Sequence, residues 1–200
     1  ANAGTAKHEI EIEASQNWNE TISYSACSGV FTSEGPKTVV LTVTDNAGNI
    51  TEKEEHFVYD KALPVLTPSW GDQKPEYMPK SGLTVAGVVE DSYKLAVSGT
   101  MVVKETFVPD TGAGAGTAVD VSTTWNLTDS VFTQVTQDKK YNVAVKIPLN
   151  NATVQSGKYS YVIELNDSVG NKYSSSTIEL TADLTPPTIT VTTPSNANAA

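Results

Sequence analysis

One cysteine, Cys27, in 200 residues leaves no disulfide possible within the chain and no Cys-x-x-Cys metal or redox motif. It reads as a small buried thiol. Arginine is absent, so the 13 basic residues are all lysines, and the forked guanidinium that grips phosphate with two parallel hydrogen bonds is missing. With 23 acidic residues the formal charge is −10 at pH 7, which disfavours nucleic acid and anionic lipid as partners. An acidic surface suits solubility, repulsion between copies and hence a monomer, and the capture of divalent cations. No run approaches the roughly 18 apolar residues of a membrane-spanning helix, so direct insertion is not expected. The start at Ala1 shows neither an initiator Met nor a signal-peptide pattern, which points to a removed leader or to a piece of a longer protein.

Catalytic equipment is equally scarce. His8 and His56 are the only histidines; His8 lies in the alternating run HEIEIE, without the HExxH spacing of a helical zinc site, and His56 sits beside Phe57 in a strand-like run. Asp110-Thr111-Gly112 matches the short signature of aspartic proteases, but that chemistry needs a second aspartate sharing the proton, and no second copy exists. The GAGAG that follows leads into TAVDVSTTW, a strand pattern, whereas a phosphate-binding loop leads into a helix amino end. These absences argue against an enzyme.

What the sequence does contain is a duplication. Gly35 to Asn49, GPKTVVLTVTDNAGN, lines up without gaps on Gly157 to Asn171, GKYSYVIELNDSVGN. Each copy runs glycine, alternating strand, then Asp-x-x-Gly-Asn. A second alternating run follows each turn, ITEKEEHFVYD in one copy and KYSSSTIELTAD in the other. The same Asp-to-Pro spacing then closes both, Asp60 with Pro64 and Asp183 with Pro187. Leu41 and Val43 alternate with Thr42 and Thr44, the period-two pattern of a half-buried strand. Asp45-Asn46-Ala47-Gly48 reads as a type I turn in which the Asp side chain bonds backbone ahead of it and Gly48 supplies the left-handed residue; Asp167 and Gly170 take those roles in the second copy.

Between the two hairpins, Leu83–Val89, Leu95–Val108, Ala118–Trp125 and Tyr141–Ile147 are short β-rich runs, and no segment shows sustained helical spacing. The expected fold is therefore all-β, a sandwich or barrel with little or no helix. Val102–Val108 and Val119–Trp125 flank Asp110–Thr117, so a long hairpin is inserted near residues 101–125. In the first 62 residues strands are expected near His8–Glu13, Thr21–Tyr24, Thr38–Thr44 and Ile50–Val58.

The closing TVTDNAGN with VYDKALPVLT, and LNDSVGN with TADLTPPTIT, resemble the bacterial immunoglobulin-like repeats of large surface adhesins and cell-wall proteins, as does LTVAGVVEDSYKL from Leu83 to Leu95. That resemblance implies tandem immunoglobulin-like sandwiches: a partial or short repeat at 1–62, a full domain at 63–185, and at 186–200 a linker or the first strand of a further repeat. Tyr159 falls where such a fold places a tyrosine corner. It also implies an extracellular, cell-surface protein whose partners are neighbouring repeats and a host or cell-surface glycan or protein.

In that type of sandwich the last hairpin projects from the end where the chain enters, which brings the turn at Asp167, with Asn171, toward the linker at Asp60 and the bend at Asp91. Such an oxygen-rich cluster suits calcium, and some large adhesins stiffen their joints with it. By the same logic Asp183 serves the next joint and Asp45 the preceding one. The expected function is a non-catalytic, stiff spacer. The alternative is a carbohydrate-binding or accessory module of an extracellular glycan-active enzyme, with Trp70 and Tyr77 stacking on sugar rings.

Overall fold

Alternation of inward apolar and outward polar side chains, carried over strand after strand, leaves little choice but sheets stacked on a shared interior. The computed structural model describes residues 8–9, 21, 29–69, 76–79, 82–110, 115–147 and 156–191. Among these it contains eleven strands and no helix: β1 (Gly35–Thr44), β2 (Ile50–Tyr59), β3 (Val65–Pro68), β4 (Leu83–Glu90), β5 (Met101–Pro109), β6 (Val119–Trp125), β7 (Phe132–Thr136), β8 (Lys140–Ile147), β9 (Gly157–Asn166), β10 (Lys172–Ser174) and β11 (Ile178–Ala182).

β3 to β11 build two sheets, one ordered β3-β4-β8-β7 and the other β10-β9-β5-β6, with β11 on the same edge of β9 as β10. Lettered in chain order, these are the ABED and C′CFG orders of an immunoglobulin-type sandwich. One apolar cluster lies between the sheets: Leu83, Val85 and Val89 of β4 and Val143 and Val145 of β8 face Met101 and Val103 of β5 and Tyr159, Tyr161, Ile163 and Leu165 of β9. All four of those β9 residues are wholly buried. Tyr159 stacks on Phe107, with ring centroids 4.3 Å apart, so it serves as a core ring. Gly157 opens β9 where a Cβ would stand 2.5 Å from the Val108 carbonyl oxygen, and glycine alone lets β5 pass that closely.

The remaining sheet is the hairpin β1-β2, which pairs with no other strand among the described residues. The duplication is structural as well as sequential: Val39 pairs with Glu55 as Tyr161 pairs with Ile178, and Gly35 with Tyr59 as Gly157 with Ala182. The single extra residue of the second copy is absorbed at Ser175–Thr177, between β10 and β11, where the Ser175 hydroxyl accepts the Ile163 N–H at 2.9 Å.

One strand expectation needs correction, and two strands have no expectation to match. Leu95–Val108 is not continuous: Leu95–Thr100 is a loop turning at Gly99 (φ 63°), and the strand starts at Met101. β3 and β7 escape the pattern, β3 because it is four residues long and ends in proline, β7 because only Phe132 is buried. Of Thr188–Thr193, expected as the first strand of a further repeat, the described part up to Val191 has no strand partner among the described residues. His8–Glu13 and Thr21–Tyr24 lie almost wholly outside the described residues, as do Cys27 and Trp70.

One core position breaks the apolar pattern. Glu105 points inward from β5, 6% exposed, opposite Tyr161 of β9. Burial pushes the Glu105 carboxyl above its ordinary value, opposed in part by the neighbouring Tyr161 hydroxyl, which is itself buried without a well-directed hydrogen bond. Because the folded-state value is raised, ionising Glu105 costs stability above the unfolded-state value and costs nothing below it. Glu105→Gln is therefore expected to raise the melting temperature at pH 7, with the gain shrinking to nothing as the pH is lowered below 4; scanning calorimetry across that range checks it.

A candidate cation site at the linker

β9 ends in Asn166, and the next residue, Asp167, begins the turn. Its Oδ1 accepts the backbone N–H groups of Val169, Gly170 and Asn171 at 2.7–2.9 Å, and its Oδ2 accepts the Asn171 amide at 2.7 Å. Gly170 takes φ 101°, the left-handed residue that lets all these donors converge. Asp45 repeats the arrangement: Oδ1 accepts Ala47 and Asn49 N–H, and Oδ2 accepts the Asn49 amide at 2.7 Å. The same five-residue motif thus folds the same way twice. What differs is the surroundings, since Asp167 is 3% exposed while Asp45 stands in solvent.

The loop after β4 supplies the second acid. Asp91 donates its N–H to the Lys139 carbonyl and accepts the Tyr93 and Lys94 N–H groups on Oδ1, both at 2.8 Å. The same loop is tied to the turn by backbone bonds from Ala96 N–H to Asn166 O and from Ser168 N–H to Lys94 O. The third acid comes from the linker between β2 and β3. Asp60 Oδ1 accepts the Ala62 N–H at 3.0 Å, and its carbonyl accepts the Asn171 amide at 3.1 Å. Glu34 holds the next linker residue by accepting the Lys61 N–H at 3.0 Å.

Each of Asp60, Asp91 and Asp167 thereby offers a carboxylate oxygen within 4.8 Å of the others. Two oxygens bound to one calcium ion lie at most about 5 Å apart, so a common centre is within reach of all three. Asp91 is 7% exposed; Asp60 is half-buried as a residue, yet its Oδ2 and that of Asp91 are shut off from solvent with no hydrogen-bond partner among the described residues. At about 5 Å and an effective dielectric near 20, two like charges repel by on the order of 3 kcal/mol. Burial raises the Asp60 carboxyl above its ordinary value, and the charges of Asp91, Asp167 and Glu34 push the same way against the Ala62 hydrogen bond. Buried carboxylate oxygens with no donor are the ligand type that a hard divalent cation accepts.

Of the residues expected at this site, then, Asp60, Asp91, Asp167 and Asn171 converge. Asn171 turns its amide nitrogen toward the acids and so braces linker against turn. Asp183 does not join them. It is exposed, follows Ala182 beside Gly157, and so lies at the far end of the ten-residue β9 from Asp167, about 30 Å away. It does repeat the linker geometry of Asp60, accepting the Thr185 N–H on Oδ1 at 3.0 Å. Lys139 and Ser92 were not singled out by the sequence: Lys139 Nζ donates to the Ser92 carbonyl at 2.9 Å, and neither residue has a motif to mark it. Tyr77 is 68% exposed, bridged to Thr181 through backbone alone.

Asn171→Ala removes two hydrogen bonds, one of them to a buried carboxylate, and should cost about 2–3 kcal/mol of sandwich stability in chelator. Asn49→Ala, at the exposed counterpart, should leave the sandwich unfolding midpoint in urea unchanged. No family model matches the chain, and no curated protein matches it either.

Proposed function

We propose that this chain is a non-catalytic structural unit of an extended, extracellular surface protein, a bacterial immunoglobulin-like repeat whose entry joint is fastened by calcium. The observation that carries the reading is the convergence of the linker Asp60 on Asp91 and Asp167, with two solvent-shielded oxygens that have no donor among the described residues. A cation held there neutralises the repulsion among the three acids and ties the linker to both the loop after β4 and the turn after β9. Asp60, Asp91 and Asp167 supply carboxylate ligands, and Asn171 holds Asp60 and Asp167 in place. The linker's own stiffness adds to this, because Pro64 fixes one backbone angle and restricts Leu63 before it. Asp183 and Pro187 repeat that linker at the other end of the sandwich, suited to a following unit of the same kind. Units joined this way form an arm that holds a binding region away from the cell.

Calcium at a hundred times its dissociation constant should stabilise the fold by about 2.7 kcal/mol, raising the melting temperature by roughly 5–10 °C over chelator. Asp91→Asn should abolish that rise while leaving the protein folded. An unchanged midpoint with calcium overturns the joint. Small-angle scattering supplies the mechanical readout: the maximum dimension and the stiffness of the hairpin-to-sandwich joint should both increase with calcium and stay fixed in the Asp91→Asn protein.

A further inference from the structure

The β1-β2 hairpin has the strand register of β9 with β11 but, among the described residues, none of its neighbouring strands. β9 is paired along its other edge by β5, from Met101↔Leu165 to Pro109↔Gly157. β1 has no strand on that edge among the described residues, and a Cβ added at Gly35, which matches the Gly157 that β5 crowds, would meet nothing within 4 Å among them. The Asp45 N–H donates to Asn49 O, so alternation along an antiparallel pair turns the N–H and C=O groups of Thr44, Thr42, Val40 and Thr38 away from β2. Asn166, which matches Thr44, shows where such groups go when a neighbour exists: its N–H donates to the Thr100 carbonyl, just ahead of β5. On the face that matches the buried side of β9, Val39, Leu41 and Val43 are 47%, 40% and 42% exposed. An isolated two-stranded sheet is marginal in water, and a long apolar edge of this kind is a template for a further strand.

We propose that β1 is a self-association surface, pairing antiparallel with β1 of a second copy about a two-fold axis at Leu41. In that register Val40 faces Thr42 and Thr38 faces Thr44 as hydrogen-bonded pairs, Val39 meets Val43, and Lys37 of each copy stands opposite Asp45 of the other. Lys37 is the only charge in β1, so no like charges meet. The outer edge of β2 suits such a pairing less, because an axis at Lys53 sets Glu52 against Glu54 and an axis at Glu54 sets Glu54 against itself. The pairing makes a four-stranded sheet and joins the Val39, Leu41 and Val43 stripes of both copies. It is independent of the cation at the linker.

Sedimentation of the full chain in EDTA, with amide exchange read at Thr38, Val40, Thr42 and Thr44, tests it. A monomer–dimer equilibrium with those amides protected is expected, strengthened by salt because each copy carries −10. Leu41→Glu places a carboxylate beside Lys53 within the hairpin, which keeps the hairpin folded, but against its own copy across the axis; it should sediment as a monomer. Lys37→Glu should raise the dissociation constant about tenfold at low salt and less at high salt. A chain that stays monomeric throughout overturns the proposal, and protected amides in that monomer would assign the edge to the chain's own residues. A dimer that survives both substitutions overturns it as well.

Discussion

Asp167 ties three backbone N–H groups and one side-chain amide into a turn at the end of β9, and the rest of the entry end is arranged around that carboxylate. Through Asn171 it reaches the linker, and through the backbone bonds of Asn166 and Ser168 it reaches the loop that carries Asp91. Backbone hydrogen bonds hold all three acids at positions their own charges oppose. The three carboxylates are thus held within 4.8 Å of one another by ladder bonds and turn caps, against their mutual repulsion.

The two copies of the Asp-x-x-Gly-Asn hairpin separate what a motif does locally from what its environment makes of it. Capping geometry at Asp45 and Asp167 is nearly identical because it is satisfied within five residues. Burial is opposite because it depends on β5 and the facing sheet, which among the described residues only the second copy has. The same contrast explains why Val39, Leu41 and Val43 lie in solvent while Tyr161, Ile163 and Leu165 form the centre of the core. Where the partners of a strand are lacking, its alternation persists but has nothing to bury against.

Glu105 and Glu164 show two outcomes for a nearly buried acid in the same sheet. Glu164, on the outer face of β9, accepts Lys104 at 2.7 Å and Lys172 at 2.6 Å. Desolvation raises its carboxyl, but the two lysines together outweigh that and hold it below the ordinary range. Glu105 on the inner face is opposed in its upward shift by the Tyr161 hydroxyl alone among the described residues, so desolvation prevails. The face a residue occupies, set by strand parity, decides whether cations can reach it.

Local chemistry made much of this protein readable in advance. The all-β class, the two hairpins and their turns, the long β5-β6 hairpin and the period-two core faces all follow from patterns shorter than about ten residues, where steric and capping preferences act without outside help. β3, β7 and the loop at Leu95–Thr100 were illegible because their conformations come from pairing with strands far along the chain. The resemblance to an immunoglobulin-type sandwich implied that Asp60, Asp91 and Asp167 share one end and that Asp183 lies at the other. By itself, then, the sequence determined most of the strands and the two Asp-x-x-Gly-Asn turns, while which acids share an end was implied by the resemblance to an immunoglobulin-type sandwich. Only tertiary structure decided that three of them bring carboxylate oxygens within 4.8 Å of one another, that Asn171 acts as a brace, and that Glu105 faces the core. Burial and carboxylate spacing are properties of packed sheets, and no short stretch of chain carries them.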